Sequence, residues 1–254
     1  MIDAQSIQNI TKRISSTLPR TVTITKREPI VEIGFMTTFN VNRPARYQTV
    51  KIQETRNSKL VGILFCHPKS SLAKSEIIEH LPHFHVRSGE AVDFFCIGYG
   101  AYWPPEHFAD QKPVVTIQGV DWLFSESAFS SVVDEFESET SWKYSGETEL
   151  ILLTARKQHN GMTILDYDTA IVCNLEAMSQ AKAFSSVRSF FEAIFKFAKS
   201  NNQEELTWEL SDQNGVRLGK LAIKDSVISV LPKSLGDAYQ RGEHFAVRSI
   251  AKHF

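Results

Sequence analysis

Two uninterrupted apolar runs constrain this chain more than any other feature. Residues 59–66 read KLVGILFC and residues 91–97 read AVDFFCI. Neither alternates polar with apolar, as a strand with one wet face does. Such runs belong to strands covered on both faces. About 25 residues separate the two runs, and parallel neighbours need a crossover of a dozen residues or more. The separating stretch holds HPKSS and then SLAKSEIIEHL, which reads as a helix that Ser70 or Ser71 can cap by accepting its free amides. The expectation is a right-handed strand–helix–strand unit with both strands parallel and buried.

The flanking elements follow from periodicity. Ile7, Ile10, Ile14 and Leu18 recur at helical spacing and predict a helix over 3–17. TVTITKR (21–27), IVEIGFMTTF (30–39) and YQTVKIQE (47–54) read as strands, the first two meeting at Glu28-Pro29 as a short hairpin or an edge. PVVTI (113–117) and VDWLF (120–124) flank Gln118-Gly119 as a hairpin. Phe129, Val132, Val133 and Phe136 form one stripe of a helix over 127–139, starting at Ser125 or Ser127. Further on, ELILLTAR (149–156) and MTILDYDTAIVC (162–173) read as an antiparallel pair around Asn160-Gly161. A long helix is expected over 176–199, with Phe184, Val187, Phe191, Ile194, Phe195 and Ala198 on its apolar face and Phe190 and Phe197 widening it. A meander of strands at 205–211, 216–224 and 226–231 and a last helical stretch complete the pattern. The class is α/β to α+β: an α/β domain over 1–142 and an α+β domain over 143–254, parted by the loop Trp142–Gly146. One continuous sheet is the alternative arrangement.

Charge and composition exclude some functions. The 28 basic and 29 acidic residues leave a net charge of −1, and no run of four Lys/Arg occurs. That balance speaks against duplex nucleic acid as partner, because phosphate binding needs a basic surplus or stripe. The amino-terminal MIDAQSIQNITKRISSTL lacks the apolar stretch of a signal peptide. No apolar run approaches the ~18 residues of a membrane span. Cys66, Cys96 and Cys173 are odd in number and widely spaced. A disulfide framework is not expected, and a reducing, cytoplasmic compartment is.

The candidate site residues lie where the two buried strands end. Cys66 closes the first strand just before a helix, where free amides and the positive dipole end stabilise a thiolate. His67 and Lys69 add positive charge there. The alternative is a small apolar residue closing a buried strand. Lys69, Ser70 and Ser71 can hold an anion at the helix start. Gly98-Tyr99-Gly100-Ala101-Tyr102-Trp103-Pro104-Pro105 leaves the second strand at the same edge, where α/β sheets bind ligands. Tyr99, Tyr102 and Trp103 can stack on a ring or form a docking patch, or fold back and plug the core. The expectation is one crevice shared by the 66–71 and 98–105 loops, with Lys69 near Tyr102.

Other constellations are incomplete. GYG lacks the remaining glycine of a dinucleotide fingerprint. His67, His80, His83, His85 and His107 crowd one region, and His83-x-His85 on an extended segment would turn both rings one way. No HExxH or CxxC accompanies them, so no metal or other cofactor is expected. Asp134, Glu135, Glu137 and Glu139 read as a solvated helix face. Glu149-Leu150-Ile151 lacks the lysine of a nuclease core, and Ser145-Gly146 lacks the flanks of a nucleophile elbow.

From 59 to 139 the order is strand, Phe65-Cys66-His67-Pro68-Lys69, helix, strand, loop, a strand led by Pro113, glycine turn, strand, helix. This order resembles the thioredoxin-like fold, which carries an aromatic, a cysteine, a residue, a proline and a second cysteine at that turn. Lys69 stands at the second cysteine's position, which excludes dithiol exchange and leaves Cys66 as a monothiol centre. Cys96, inside the next strand, is poorly placed to resolve a disulfide with it. Two functions remain. The first is a non-catalytic binding or assembly component of a multi-protein, bacterial-type system, docking a protein partner or a second copy through the aromatic loop and the Phe-rich helix. The second is an enzyme using Cys66 in redox chemistry or the anion pocket at Lys69/Ser70/Ser71. The absence of any complete catalytic motif favours the first.

Overall fold

The computed structural model describes residues 2–4, 6–29, 47–88, 92–101, 103–104, 106–200, 207, 210, 245 and 247–252. The two apolar runs become β4 (Ser58–Phe65) and β5 (Val92–Ile97), buried along their whole length. They pair in parallel from Leu60↔Val92 to Leu64↔Cys96, as the runs predict. The crossover between them tightens and loosens. A π-helical turn (Ala73–Ile77) and a 3-10 turn (Ile78–His80) lead into α2 (Leu81–Ser88).

β1 (Ile2–Ala4) extends this core in parallel beyond β5. The expected first helix therefore starts later, as α1 (Ile7–Thr17), capped by Ser6, whose Oγ accepts from the Asn9 amide. On the other side β4 pairs antiparallel with β9 (Glu149–Lys157), from Ser58↔Arg156 to Phe65↔Glu149. β9 pairs antiparallel with β10 (Thr163–Asn174), and β11 (Val247–Arg248) closes the edge. The result is one six-stranded mixed sheet in the order β1-β5-β4-β9-β10-β11. It crosses the boundary expected at 142/143.

Two small sheets stand apart from it. β2 (Arg20–Pro29) and β3 (Tyr47–Arg56) form a ribbon paired over ten residues each. β7 (Lys112–Ile117) and β8 (Val120–Phe124) form the expected hairpin, joined by β6 (Tyr99–Gly100).

Helices cover both faces of the large sheet. α3 (Glu126–Glu139) starts at the expected cap, with the Ala128 amide donating to Ser125 Oγ at 3.1 Å. It lies on the face that Phe65 enters, with the rings of Phe65 and Phe136 5.6 Å apart. α1 shares this face, because the Ile7 amide donates to Glu135 Oε2 of α3 at 2.9 Å. The opposite face takes Phe94, which meets Phe191 at 5.0 Å and Phe195 at 5.7 Å. Each such fully buried side chain contributes about 1.5–3 kcal/mol by leaving water.

The helix expected over 176–199 is two helices, α4 (Leu175–Gln180) and α5 (Val187–Ser200). Lys182 takes a left-handed φ of 54° between them. Phe190, Phe191, Phe195 and Phe197 of α5 are buried, so the face read as a docking surface is spent on the core. Thr207 and Leu210 are helical where a strand was expected, and Phe245 is helical ahead of β11. The strands expected at 30–39, 216–224 and 226–231 lie outside the described residues. No helix among the described residues is long and apolar enough to cross a membrane.

Candidate functional site

The carboxyl end of β4 opens into a cleft of about 550 Å³, walled by the His67–Ser70 turn, α3, the Tyr144–Gly146 loop and Glu176. Three residues expected from the sequence meet here: His67, Lys69 and Ser70. Their partners come from far along the chain.

His67 is fixed at both ring nitrogens. The Lys69 amide donates to Nδ1 at 3.1 Å, which puts the ring proton on Nε2. That Nε2 faces both oxygens of Glu126, at 3.0 and 2.9 Å. Lys69 Nζ reaches Glu126 Oε2 at 3.5 Å. The hydrogen bond from His67, with the Lys69 charge behind it, holds the Glu126 carboxyl below its ordinary pKa despite some burial. Ser70 is engaged as fully. Its Oγ accepts from the Ala73 amide at 3.1 Å, capping the crossover helix, and donates to Glu176 Oε1. The same oxygen accepts from Thr148 Oγ1 at 3.1 Å and from the Thr148 amide at 3.3 Å. The anion expected at Lys69 and Ser70 is thus supplied by the chain itself: Glu126 sits on Lys69, and Glu176 on Ser70. Ser71 is exposed and does not line the cleft.

Cys66 is fully buried, and burial pushes its thiol pKa up, opposite to the expected effect of the helix end. Tyr99 stands behind it. Its hydroxyl donates to the Cys66 carbonyl at 2.8 Å, and its ring meets Phe124 at 5.0 Å. Trp103 is 5% exposed and lies against Phe108 with ring centroids 4.8 Å apart. Both aromatics plug the interior, and neither lines the cleft. Gly100 leaves room for the Trp103 ring, and Gly98 for Phe129 of α3. A Cβ on Gly100 would sit 2.1 Å from the Trp103 ring, and one on Gly98 would sit 2.7 Å from Phe129 Cβ. Gly98 also has a left-handed φ of 77°. Tyr102 lies outside the described residues. Among the described residues the crevice that receives Lys69 is completed by α3, and not by Tyr99 or Trp103.

α3 supplies what the sequence reading missed: Glu126, Phe129, Ser130, Val133 and Asp134. The loop before it sets its first turn. Asp110 accepts from the Ser127 amide at 2.8 Å and from Ser125 Oγ at 2.8 Å, and the Ser125 amide donates to the Gly98 carbonyl at 2.9 Å. These bonds, the Ser127 amide first, hold the Asp110 pKa down to about 2. Ser125 followed by an acid in the first turn was the readable signal for Glu126.

His83 and His85 sit on α2, a helix, so their rings diverge. His83 Nε2 meets Glu192 Oε1 at 2.8 Å, and His85 lies 6.1 Å from the Trp122 ring. Among the described residues no three His, Cys, Asp or Glu side chains gather as metal ligands. Neither a known protein family, nor a curated protein, nor a solved structure matches this chain.

Proposed function

We propose that this protein is a non-catalytic binding or assembly component, and that its docking site is the cleft between the His67–Ser70 turn and α3. The partner presents a basic, partly apolar segment. The observation that carries this reading is the cleft's composition. Phe129, Val133 and Tyr144 give it an apolar wall, while Glu126, Asp134 and Glu176 set three carboxylates beside the ammonium of Lys69 among the described lining residues. Such a surface steers and orients a cationic partner. The groups suited to chemistry are already committed: both His67 nitrogens, the Ser70 hydroxyl, and a Cys66 thiol sealed from solvent. Three free thiols fit a reducing, cytoplasmic setting, such as a multi-protein bacterial system. The thioredoxin-like resemblance remains part of the proposal. The parallel β4–helix–β5 crossover supports it, whereas the strand led by Pro113 pairs with β8 in a sheet apart from β4.

Fluorescence anisotropy on the full chain tests the reading, using labelled peptides that alternate leucine with lysine or with glutamate. The lysine peptide is expected to bind about tenfold more tightly or better, and Val133→Lys to remove that binding. Equal binding of both peptides, or no change in Val133→Lys, would overturn the assignment of this cleft. The enzyme alternative has its own test. If Cys66 in the native protein alkylates at neutral pH faster than a model thiol, the thiol is activated and the non-catalytic reading fails; if it reacts no faster, the redox version is lost.

A further inference from the structure

At the opposite end of β4, where the strand begins, a second pocket of about 310 Å³ opens between the β3–β4 turn and the end of β9. Its lining is basic: Arg56, Arg156 and Lys157, with Thr55, Asn57 and His159 around them. We propose that this pocket binds the phosphate group of a small ligand, with Arg56, Arg156 and Lys157 as its contacts.

The backbone gathers these cations. Arg156 stands opposite Ser58 in the β4–β9 ladder, and the Lys157 amide donates to the Asn57 carbonyl at 2.7 Å. Arg56 ends β3 two residues earlier, paired with Arg20. Like charges held together by strand register repel one another, and a bound anion relieves that repulsion.

Among the described residues their counter-charges are incomplete. Arg156 meets Asp166 through a single contact of 3.6 Å. Arg56 meets Glu54 through Nη2, and its Nε is buried without an acceptor. Lys157 Nζ donates to a neutral carbonyl, that of Leu18, at 3.1 Å. The Arg20 guanidinium next to the pocket has its pKa lowered, by burial first and then by the charge of Arg56.

The shape and the donors favour phosphate. Guanidinium forks offer paired N–H donors that match phosphate oxygens, and an ammonium adds a point charge. The Thr55 hydroxyl and the Asn57 amide are exposed at the rim and supply neutral donors. The pocket's volume admits a phosphate with a small organic group.

Calorimetric titration of the full chain with inorganic phosphate and with adenosine monophosphate, at fixed ionic strength in chloride, tests this. Saturable binding is expected, with affinity falling about tenfold in Arg156→Gln and in Lys157→Gln and unchanged in Lys12→Gln. Tighter binding of the nucleotide assigns a phosphomonoester ligand. Equal binding of the two probes assigns free phosphate. Lys157 also tethers Leu18, so the site is mapped on the wild-type protein as well, by phosphate-induced shifts of the backbone amides of 55–58 and 156–159. No saturable heat with either probe up to about 10 mM, undiminished binding in Arg156→Gln, or shifts confined elsewhere would overturn the proposal.

Discussion

At the carboxyl end of β4 three carboxylates share a cleft with one ammonium; at its amino end three cations share a pocket with partial counter-charges. Eight residues of strand separate the two ends, about 26 Å at strand rise. That exceeds the ~8 Å over which physiological salt screens exposed charges. Each end therefore shows solvent its own sign, and the chain's net charge of −1 averages two unlike surfaces. The ends also differ in how their polar groups are held. In the cleft, side chains satisfy one another: His67 with Glu126, Ser70 and Thr148 with Glu176. In the basic pocket, strand register collects groups whose partners among the described residues are few. The first surface is held in place by its own side chains. The second holds unspent hydrogen-bond donors.

The sharpest way to break this comparison is through Lys59, a cation at the basic end that is sealed from solvent. Lys59 Nζ meets Asp93 Oδ1 at 2.7 Å, with side chains 3% and 4% exposed. Thr17 Oγ1 donates to the other Asp93 oxygen at 3.0 Å, tying α1 to the sheet. Asp93→Ala strands the Lys59 charge and is expected to cost about 3–5 kcal/mol, read as a fall in the urea midpoint. Lys59→Met combined with Asp93→Leu removes both charges and is expected to recover most of that loss. A single variant as stable as wild type would show that the pair is not desolvated.

A smaller effect is expected at the cleft end. Glu149, 4% exposed, accepts from Trp142 Nε1 at 2.8 Å and from the Ser145 amide at 3.0 Å. Glu149→Leu leaves the indole N–H buried without an acceptor, for about 1–3 kcal/mol, and Glu149→Gln costs less because its carbonyl still accepts. Urea denaturation followed by tryptophan emission orders the two.

Much of the sheet was legible for a physical reason. A continuous apolar run needs no period to be read, so β4, β5 and their parallel pairing follow from KLVGILFC and AVDFFCI. Ser125 as the cap of α3 was legible because capping is local. His67, Lys69 and Ser70 reached a cleft because they follow a buried strand. The rest depends on long-range pairing. Glu126 and Glu176 lie 59 and 106 residues from the groups they bond, and no local pattern links them. Tyr99 and Trp103 read as site-like because sequence does not tell an inward aromatic from an outward one; here Gly100 lets the backbone lie against the Trp103 ring. The basic pocket was hidden for the same reason as the carboxylates. Arg56 and Arg156 become neighbours once β4 and β9 are in register.

Acid is expected to act on the cleft side through Asp110, which anchors the first turn of α3. Its folded pKa is near 2 against an ordinary 3.8. A depressed carboxyl stabilises the fold above its unfolded pKa and loses that contribution as pH falls through the folded value. Stability should therefore decline between about pH 4 and pH 2, and Asp110→Asn should flatten that part of the curve. Urea midpoints at several pH values check it. A wild-type slope unchanged in the variant would assign the acid sensitivity to other groups, such as Glu192, which Arg87 and His83 also hold down to about 2.

The smallest expected effect is the one that separates binding from folding. The Arg156 side chain is 34% exposed, and its contact with Asp166 is long at 3.6 Å. Asp166 is 18% exposed, but a pair this long and partly solvated contributes about 0–1 kcal/mol, because water still reaches the charges and the long side chain loses entropy on pairing. Arg156→Gln also removes repulsion from Arg56 and Lys157, which offsets part of what the pair supplied. The urea midpoint should thus stay within about 0.5 kcal/mol of wild type, or rise, while phosphate affinity falls about tenfold. A large loss of stability would mean that Arg156 is a structural cation like Lys59, and the contrast between the two ends of β4 would lose its basis.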